Sequence, residues 1–184
     1  MSGRLIAVVG PSGVGKDSVM AGIAAAAPHI RLVRRVVTRT PDIGCEPHDT
    51  VDAKRFEAMQ VAGAFCLHWG AHGLLYGIPA KVLESVRQGE THMANLSRGI
   101  LKDAQAVFPA LTVLNITARP EVLAKRLALR GREDRAEIQR RLARASIALP
   151  DGVPAIDLPN NAALEEAVAR ALALLQSETV GRCG

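Results

Sequence analysis

The chain is poor in aromatic residues: one Trp, one Tyr and three Phe make up 3% of its 184 positions. Its core must therefore be built from Ala, Val, Leu and Ile, which pack well on helices and on parallel strands buried on both faces, so an α/β protein is expected. The aromatics present, Phe56, Phe65, Trp69, Tyr76 and Phe108, are scattered and not interleaved with basic runs, which leaves no stacking platform for a nucleic acid. Cys45, Cys66 and Cys183 are odd in number, widely spaced and without a C-x-x-C pair. That pattern argues against a disulfide framework and a zinc site, and suits a reducing cytoplasm. No apolar run approaches the ~20 residues that span a bilayer, and the N-terminus meets Gly-Pro-Ser-Gly before any cleavage-like site. A soluble, untargeted, cytoplasmic protein with no membrane partner is the expectation. Ser-His-Asp, Cys-His and H-E-x-x-H arrangements are also missing.

What is present is a chain 48% hydrophobic, long enough for one domain over residues 1–184 with a sizeable core. A net charge of +5 and a pI near 9.6 suit an anionic partner: nucleic acid, an acidic membrane surface or a small polyphosphate. With no basic–aromatic stretch, nucleic acid is the weakest of the three.

"LIAVV" (Leu5 to Val9) is a short apolar run bounded by glycine, as in a strand buried on both faces, and Asp17 to Ala27 reads as an Ala-rich helix ended by Pro28. Further strand-like runs occur at Thr91 to Leu96, Leu111 to Thr117 and Val153 to Leu158. They alternate with helical stretches near Pro79 to Gln88, Pro120 to Arg130, Asp134 to Ala148 and Leu164 to Gln176, which implies βα units around a parallel sheet. Between Arg34 and Gly77 the periodicity breaks up among turn residues, as expected of an insertion, at about 34–90, that carries a second site.

Gly10, Gly13, Gly15 and Lys16 satisfy G-x-x-x-x-G-K between that strand and helix. Glycines let consecutive backbone N–H groups point at phosphate oxygens, the lysine reaches the β and γ phosphates, and the helix directs its positive end there. The stretch Gly10, Pro11, Ser12, Gly13, Val14, Gly15, Lys16, Asp17 and Ser18 is thus the candidate ATP site. Asp17 stands where a hydroxyl residue usually touches Mg²⁺; its carboxylate is an equally hard oxygen ligand, or else it complements the helix dipole.

"GPSGVGK", Thr38 and Arg39, "HGLLYGIP" (His72 to Pro79) and "RLALRGRED" (Arg126 to Asp134) fall in the order and spacing of guanylate kinases, and the resemblance covers nearly the whole chain. The chain looks closer still to a sibling family, the ribose 1,5-bisphosphate phosphokinases, which share the "GKDS" ending of the loop and "LHW-x-AHG-x-x-YGIP". The resemblance implies a P-loop kinase fold, with a central parallel sheet, helices on both faces, an acceptor-binding insertion and an arginine lid at about 126–145. It also implies ATP and Mg²⁺ as cofactors and a small phosphorylated sugar as acceptor. By it, Arg39 and Tyr76 clamp the acceptor phosphate, and Arg130 and Arg141 are catalytic lid arginines beside Lys16.

In guanylate kinases a carboxylate that reads the base falls opposite Gly70, and a second falls opposite Asn95. Carboxylates accept hydrogen bonds from a base and would repel a second phosphate, so their replacement, with Arg98 and the histidines His68, His72 and His92 nearby, suits an acceptor anionic at both ends. The expected substrate contacts are therefore Arg39, Gly70, His72, Tyr76, Asn95 and Arg98. Asn160 or Asn161 matches an asparagine by the adenine, or caps the last helix. A phosphate nucleophile is already ionised at neutral pH, so the missing catalytic base is consistent with phosphate-to-phosphate transfer. The alternatives are a nucleoside monophosphate kinase, guanylate kinase above all, and an inactive guanylate-kinase-like module that binds a phosphorylated protein. Homodimerisation is left open.

Overall fold

The computed structural model describes residues 3–38, 48–130 and 148–181. The apolar run near the N-terminus forms β1 (Arg4–Val9), and every residue after Arg4 is buried. It lies at the centre of a five-stranded parallel sheet with β2 (Ile30–Leu32), β7 (Thr91–Asn95), β8 (Leu111–Thr117) and β9 (Ala155–Pro159), in the order β2-β7-β1-β8-β9.

Both faces of this sheet are covered, which is why β1 reads as an unbroken apolar run rather than an alternation. Ile6 and Val8 pack on one side against Val19, Met20 and Ile23 of α1 (Lys16–Ala26) and against Ala171 and Leu175 of α6 (Leu164–Gly181). Leu5, Ala7 and Val9 pack on the other against Val82 and Val86 of α3 (Ala80–Arg87) and Leu101 and Ala104 of α4 (Leu101–Val107). Leu123, on α5 (Pro120–Arg130), joins the first side.

The stretch expected to be irregular holds a second, four-stranded sheet in the order β4-β3-β6-β5, built from β3 (Arg35–Val37), β4 (His48–Thr50), β5 (Phe65–Ala71) and β6 (Leu74–Pro79). Its strands are short, and glycines interrupt β5 and β6, so no apolar period marks them. One helix, α2 (Ala53–Val61), starts at Asp52, whose carboxylate accepts from Arg55 N at 2.6 Å. Phe56 of α2 stacks on Phe65, with ring centroids 4.7 Å apart. Phe65 in turn lies over Gly77, where a Cβ would come within 2.6 Å of its ring.

β5 and β6 form a hairpin whose two-residue turn has His72 at φ 52° and Gly73 at φ 74°, the left-handed pair that matches strand twist. The hairpin is fixed to the central sheet by Leu67 and Ile78, which join the core beneath β1, and by Trp69 Nε1, which donates to Ser97 Oγ at 2.9 Å. The last central strand begins at Ala155 rather than Val153. The helix expected at 134–148 lies outside the described residues but for its final position.

Candidate active site

All strands of the central sheet run the same way, so the segments that follow β1, β7, β8 and β9 gather at one edge, where parallel α/β sheets bind ligands. After β1 comes the glycine loop. Gly10, Gly13 and Gly15 have φ of 152°, 83° and 91°, and a Cβ at Gly10 would lie 2.4 Å from Ile116 O. Both the conformation and the close approach require glycine there. Lys16 Nζ donates to Gly10 O at 3.0 Å and Pro11 O at 3.1 Å, curling over the loop. No side chain caps the start of α1, so its first N–H groups face the space where a phosphate would lie.

The loop is held from below by residues that follow β9 and by α5. Asn160, 4% exposed, donates from Nδ2 to Val14 O at 2.8 Å, while its backbone carbonyl receives Arg126 Nη1 at 2.9 Å. Beside them opens a pocket of about 350 Å³ lined by Gly13, Gly15, Ser18, Arg126, Asn160 and Leu164, among others. It adjoins the loop through Gly13 and Gly15. Asn160 therefore lines this pocket and also holds the loop, whereas Asn161 Oδ1 accepts from Arg119 N at 2.8 Å at the start of α5. Neither of these side-chain bonds caps the last helix.

Asp17 and Ser18 are exposed in the first turn of α1, and Asp17 Oδ1 receives Asn95 Nδ2 at 3.3 Å. Their hard oxygens fit Mg²⁺, which commonly takes one or two protein ligands plus substrate phosphates. Among the described residues no cluster of three or more His, Cys, Asp or Glu offers an all-protein metal cage.

Across the cleft stands the small sheet. Tyr76 stacks on Trp69 with centroids 5.3 Å apart and planes 13° from parallel, and the guanidinium carbon of Arg35 lies 5.4 Å from the Tyr76 centroid. Arg35 Nη1 donates to Asn95 O at 2.9 Å. Arg98 follows β7, half-buried, and burial pulls its guanidinium below its ordinary pKa.

Contacts link expected residues at this edge: Asp17, next to Lys16 on the loop, meets Asn95, and Asn95 reaches Tyr76 through Arg35, while Arg98 follows three residues after Asn95. Gly70 is not among them. Trp69 pairs with Tyr76, and Gly70 with Leu75, so alternation sends Gly70 to the outer face of the hairpin, away from Tyr76. A Cβ there would meet only Leu75 Cδ2 at 3.8 Å and Leu74 O at 3.9 Å. Gly70 thus stands on the opposite face of the hairpin from Tyr76. His68 shares that outer face, and His72 is the exposed turn residue at the hairpin tip, a place explained by its positive φ.

His92 is at the wrong end of β7. It pairs with Leu5 while Asn95 pairs with Val8, and its Nε2 lies 2.8 Å from Ser85 Oγ and 3.3 Å from Glu90 Oε2. Ser85 Oγ also donates to Glu90, which accepts from Arg31 Nη1 at 2.9 Å. Arg39 and Arg141 lie outside the described residues, and so does the side chain of Arg130. Arg35 carried no signal of its own in the sequence and Trp69 only its place in the shared LHW motif, because only the pairing of β3 and β5 with β6 sets them around Tyr76.

No family model matches the chain. A protein of Ruegeria sp. (strain TM1040) named ribose 1,5-bisphosphate phosphokinase PhnN is 53% identical over 178 residues, 96% of this chain and 93% of that protein. A protein of the same name from Agrobacterium fabrum (strain C58 / ATCC 33970) is 44% identical over 175 residues, 94% of this chain and 96% of that protein. Among solved structures, a guanylate kinase from Anaplasma phagocytophilum superposes with a TM-score of 0.64 over 96% of this chain and 86% of that one. At 21% identity that likeness speaks for the fold alone, which is the P-loop kinase fold expected from the sequence. With this degree of full-length identity to its relatives, the chain belongs to the ribose 1,5-bisphosphate phosphokinase family.

Proposed function

We propose that this protein transfers the γ-phosphoryl group of ATP to the 1-phosphate of ribose 1,5-bisphosphate, giving 5-phosphoribosyl 1-diphosphate and ADP. The observation that carries this reading is the 53% identity, across nearly the full length of both chains, to a ribose 1,5-bisphosphate phosphokinase. The geometry agrees with it, because the glycine loop with Lys16 and the Tyr76 hairpin face one cleft at the edge of the central sheet.

The attacking oxygen belongs to a phosphate that is ionised at neutral pH, so alignment and charge neutralisation suffice without a general base. Loop amides from Gly10 to Lys16 cradle the phosphates of ATP. Lys16 Nζ exchanges the carbonyls of Gly10 and Pro11 for phosphate oxygens, and the pocket beside Asn160 receives the base. Bound Mg²⁺, held through Asp17 or Ser18, would offset charge on the β and γ phosphates. Tyr76 and Arg39 hold the acceptor phosphate, Arg98 adds positive charge behind them, and Arg130 and Arg141 stabilise the transferring phosphoryl.

The test is a coupled assay of ADP release with ribose 1,5-bisphosphate and GMP in parallel at fixed ATP and Mg²⁺. Release that depends on the bisphosphate is expected. A preference for GMP would replace this reading with that of a nucleoside monophosphate kinase.

A further inference from the structure

Arg35 opens β3, and alternation along the strand places it and Val37 on the same face as Tyr76 and Trp69. Among the described contacts of its side chain, the guanidinium lies against the Tyr76 ring at 5.4 Å, and Nη1 donates to Asn95 O at 2.9 Å. Tyr76 is itself pinned by Trp69, and the Asn95 amide reaches Asp17 on the phosphate loop at 3.3 Å. A half-buried cation therefore stands between the acceptor hairpin and the phosphate loop, already held in one orientation.

We propose that Arg35 is the specificity-determining cation of the acceptor site, and that it holds the phosphate of ribose 1,5-bisphosphate that does not react. This rests on the acceptor assigned above. A guanidinium only donates hydrogen bonds, and its planar fork matches a phosphate, so a site floored by Arg35 favours an anion over the N–H edge of a nucleobase. Because stacking and the Asn95 carbonyl already fix the side chain, less rotamer freedom is lost when an anion binds. Arg35 lies over the ring of Tyr76 rather than at its hydroxyl, so the cation and the hydroxyl address different points of the acceptor. Tyr76 and Arg39 are assigned to the reacting phosphate, and Arg35, held against the Tyr76 ring beside Asn95, is placed to take the other end, with Arg98 adding charge after β7.

The competing role is a staple that merely ties β3 to β7, and three acceptor-site probes separate the two. Arg35→Gln keeps a donor for Asn95 O but removes the charge; Arg35→Lys keeps the charge but loses the fork. Steady-state rates are measured with ribose 1,5-bisphosphate, and ribose 5-phosphate and ribose 1-phosphate are measured as competitive inhibitors. Arg35→Gln should lower kcat/KM for the bisphosphate by about ten- to a hundredfold, mostly through KM, as expected for loss of a hydrogen bond to a charged group. It should raise the inhibition constant of ribose 5-phosphate by a comparable factor and leave that of ribose 1-phosphate within about twofold. Arg35→Lys should recover part of the loss. Equal weakening of both monophosphates would show a staple, and unchanged ribose 5-phosphate inhibition would remove the role altogether. A wild type with no bisphosphate-dependent ADP release would overturn the acceptor assignment, and this role with it, before any variant is made.

Discussion

Asp17 stands in a position that usually bears a hydroxyl, and its exposed carboxylate meets Asn95 at 3.3 Å in the first turn of α1. If it helps hold Mg²⁺, Asp17→Asn should raise the Mg²⁺ concentration for half-maximal rate several-fold, because an amide is a neutral and weaker ligand for a hard cation. A magnesium titration that superposes on the wild type would leave Asp17 only its interaction with the helix dipole. Gly70 leads to the opposite expectation from the one its sequence position suggested. Since it faces outward, where a Cβ would make only ordinary contacts with Leu75 and Leu74, Gly70→Glu should leave kcat/KM for the bisphosphate within about twofold, as for other surface substitutions. A loss of tenfold or more would mean that the outer face of the hairpin touches substrate.

β7 carries two unrelated environments on one short strand. Its C-terminal residue, Asn95, meets Asp17 and Arg35, while His92 is buried at the other end beside Ser85, Glu90 and Arg31. Burial pushes the His92 pKa below its ordinary 6.5, and the neighbouring Glu90 carboxylate only partly opposes this. Glu90 is itself held below its usual 4.5, first by the Ser85 hydroxyl and then by Arg31 and His92. Above pH ~6.5 His92 is neutral in both folded and unfolded chains, so its contribution is fully present. As the pH falls below that, the unfolded chain takes up the proton first, and stability is lost until the folded pKa is passed. Glu90 acts in the same direction at lower pH, below about 4.5, where its ionised form begins to be lost. Urea unfolding at pH 7.5 and 5.5 should therefore show wild type losing more stability than His92→Gln, at no more than about 1.4 kcal/mol per pH unit. Equal losses in the two proteins would mean that His92 does not titrate in this range.

Taken whole, the described part of the molecule sets the proposed nucleotide site on the central sheet against the proposed acceptor site on the small one, tied by Arg35 to Asn95 and Trp69 to Ser97. Each ligand should then stabilise the fold by itself. ATP at about a hundred times its Kd adds about 2.7 kcal/mol, which for a chain of this size raises Tm by about 5–10 °C. Lys16→Ala should lose most of the shift with ATP and keep that with ribose 1,5-bisphosphate in differential scanning fluorimetry. Loss of both shifts would show that the two sites do not bind separately.

The sequence by itself determined the phosphate loop, four of the five central strands and the helices α1, α3, α5 and α6, because these are local events. Glycines at 10, 13 and 15 supply left-handed or extended backbone at fixed spacing, and a fully buried strand such as Leu5 to Val9 is apolar wherever it pairs. The small sheet was illegible for the opposite reason. β3 takes its partner β6 from far along the chain, and with a side-chain period of two, one residue decides which face a group takes. Gly70 and Trp69 are neighbours in sequence, yet one faces out and the other stacks on the acceptor tyrosine. His92 and Asn95 are three residues apart, yet strand length carries them to opposite ends of the sheet. Arg35 meets Asn95 across 60 residues, so only tertiary structure could show that the cation beside Tyr76 belongs to the same cleft as the phosphate loop.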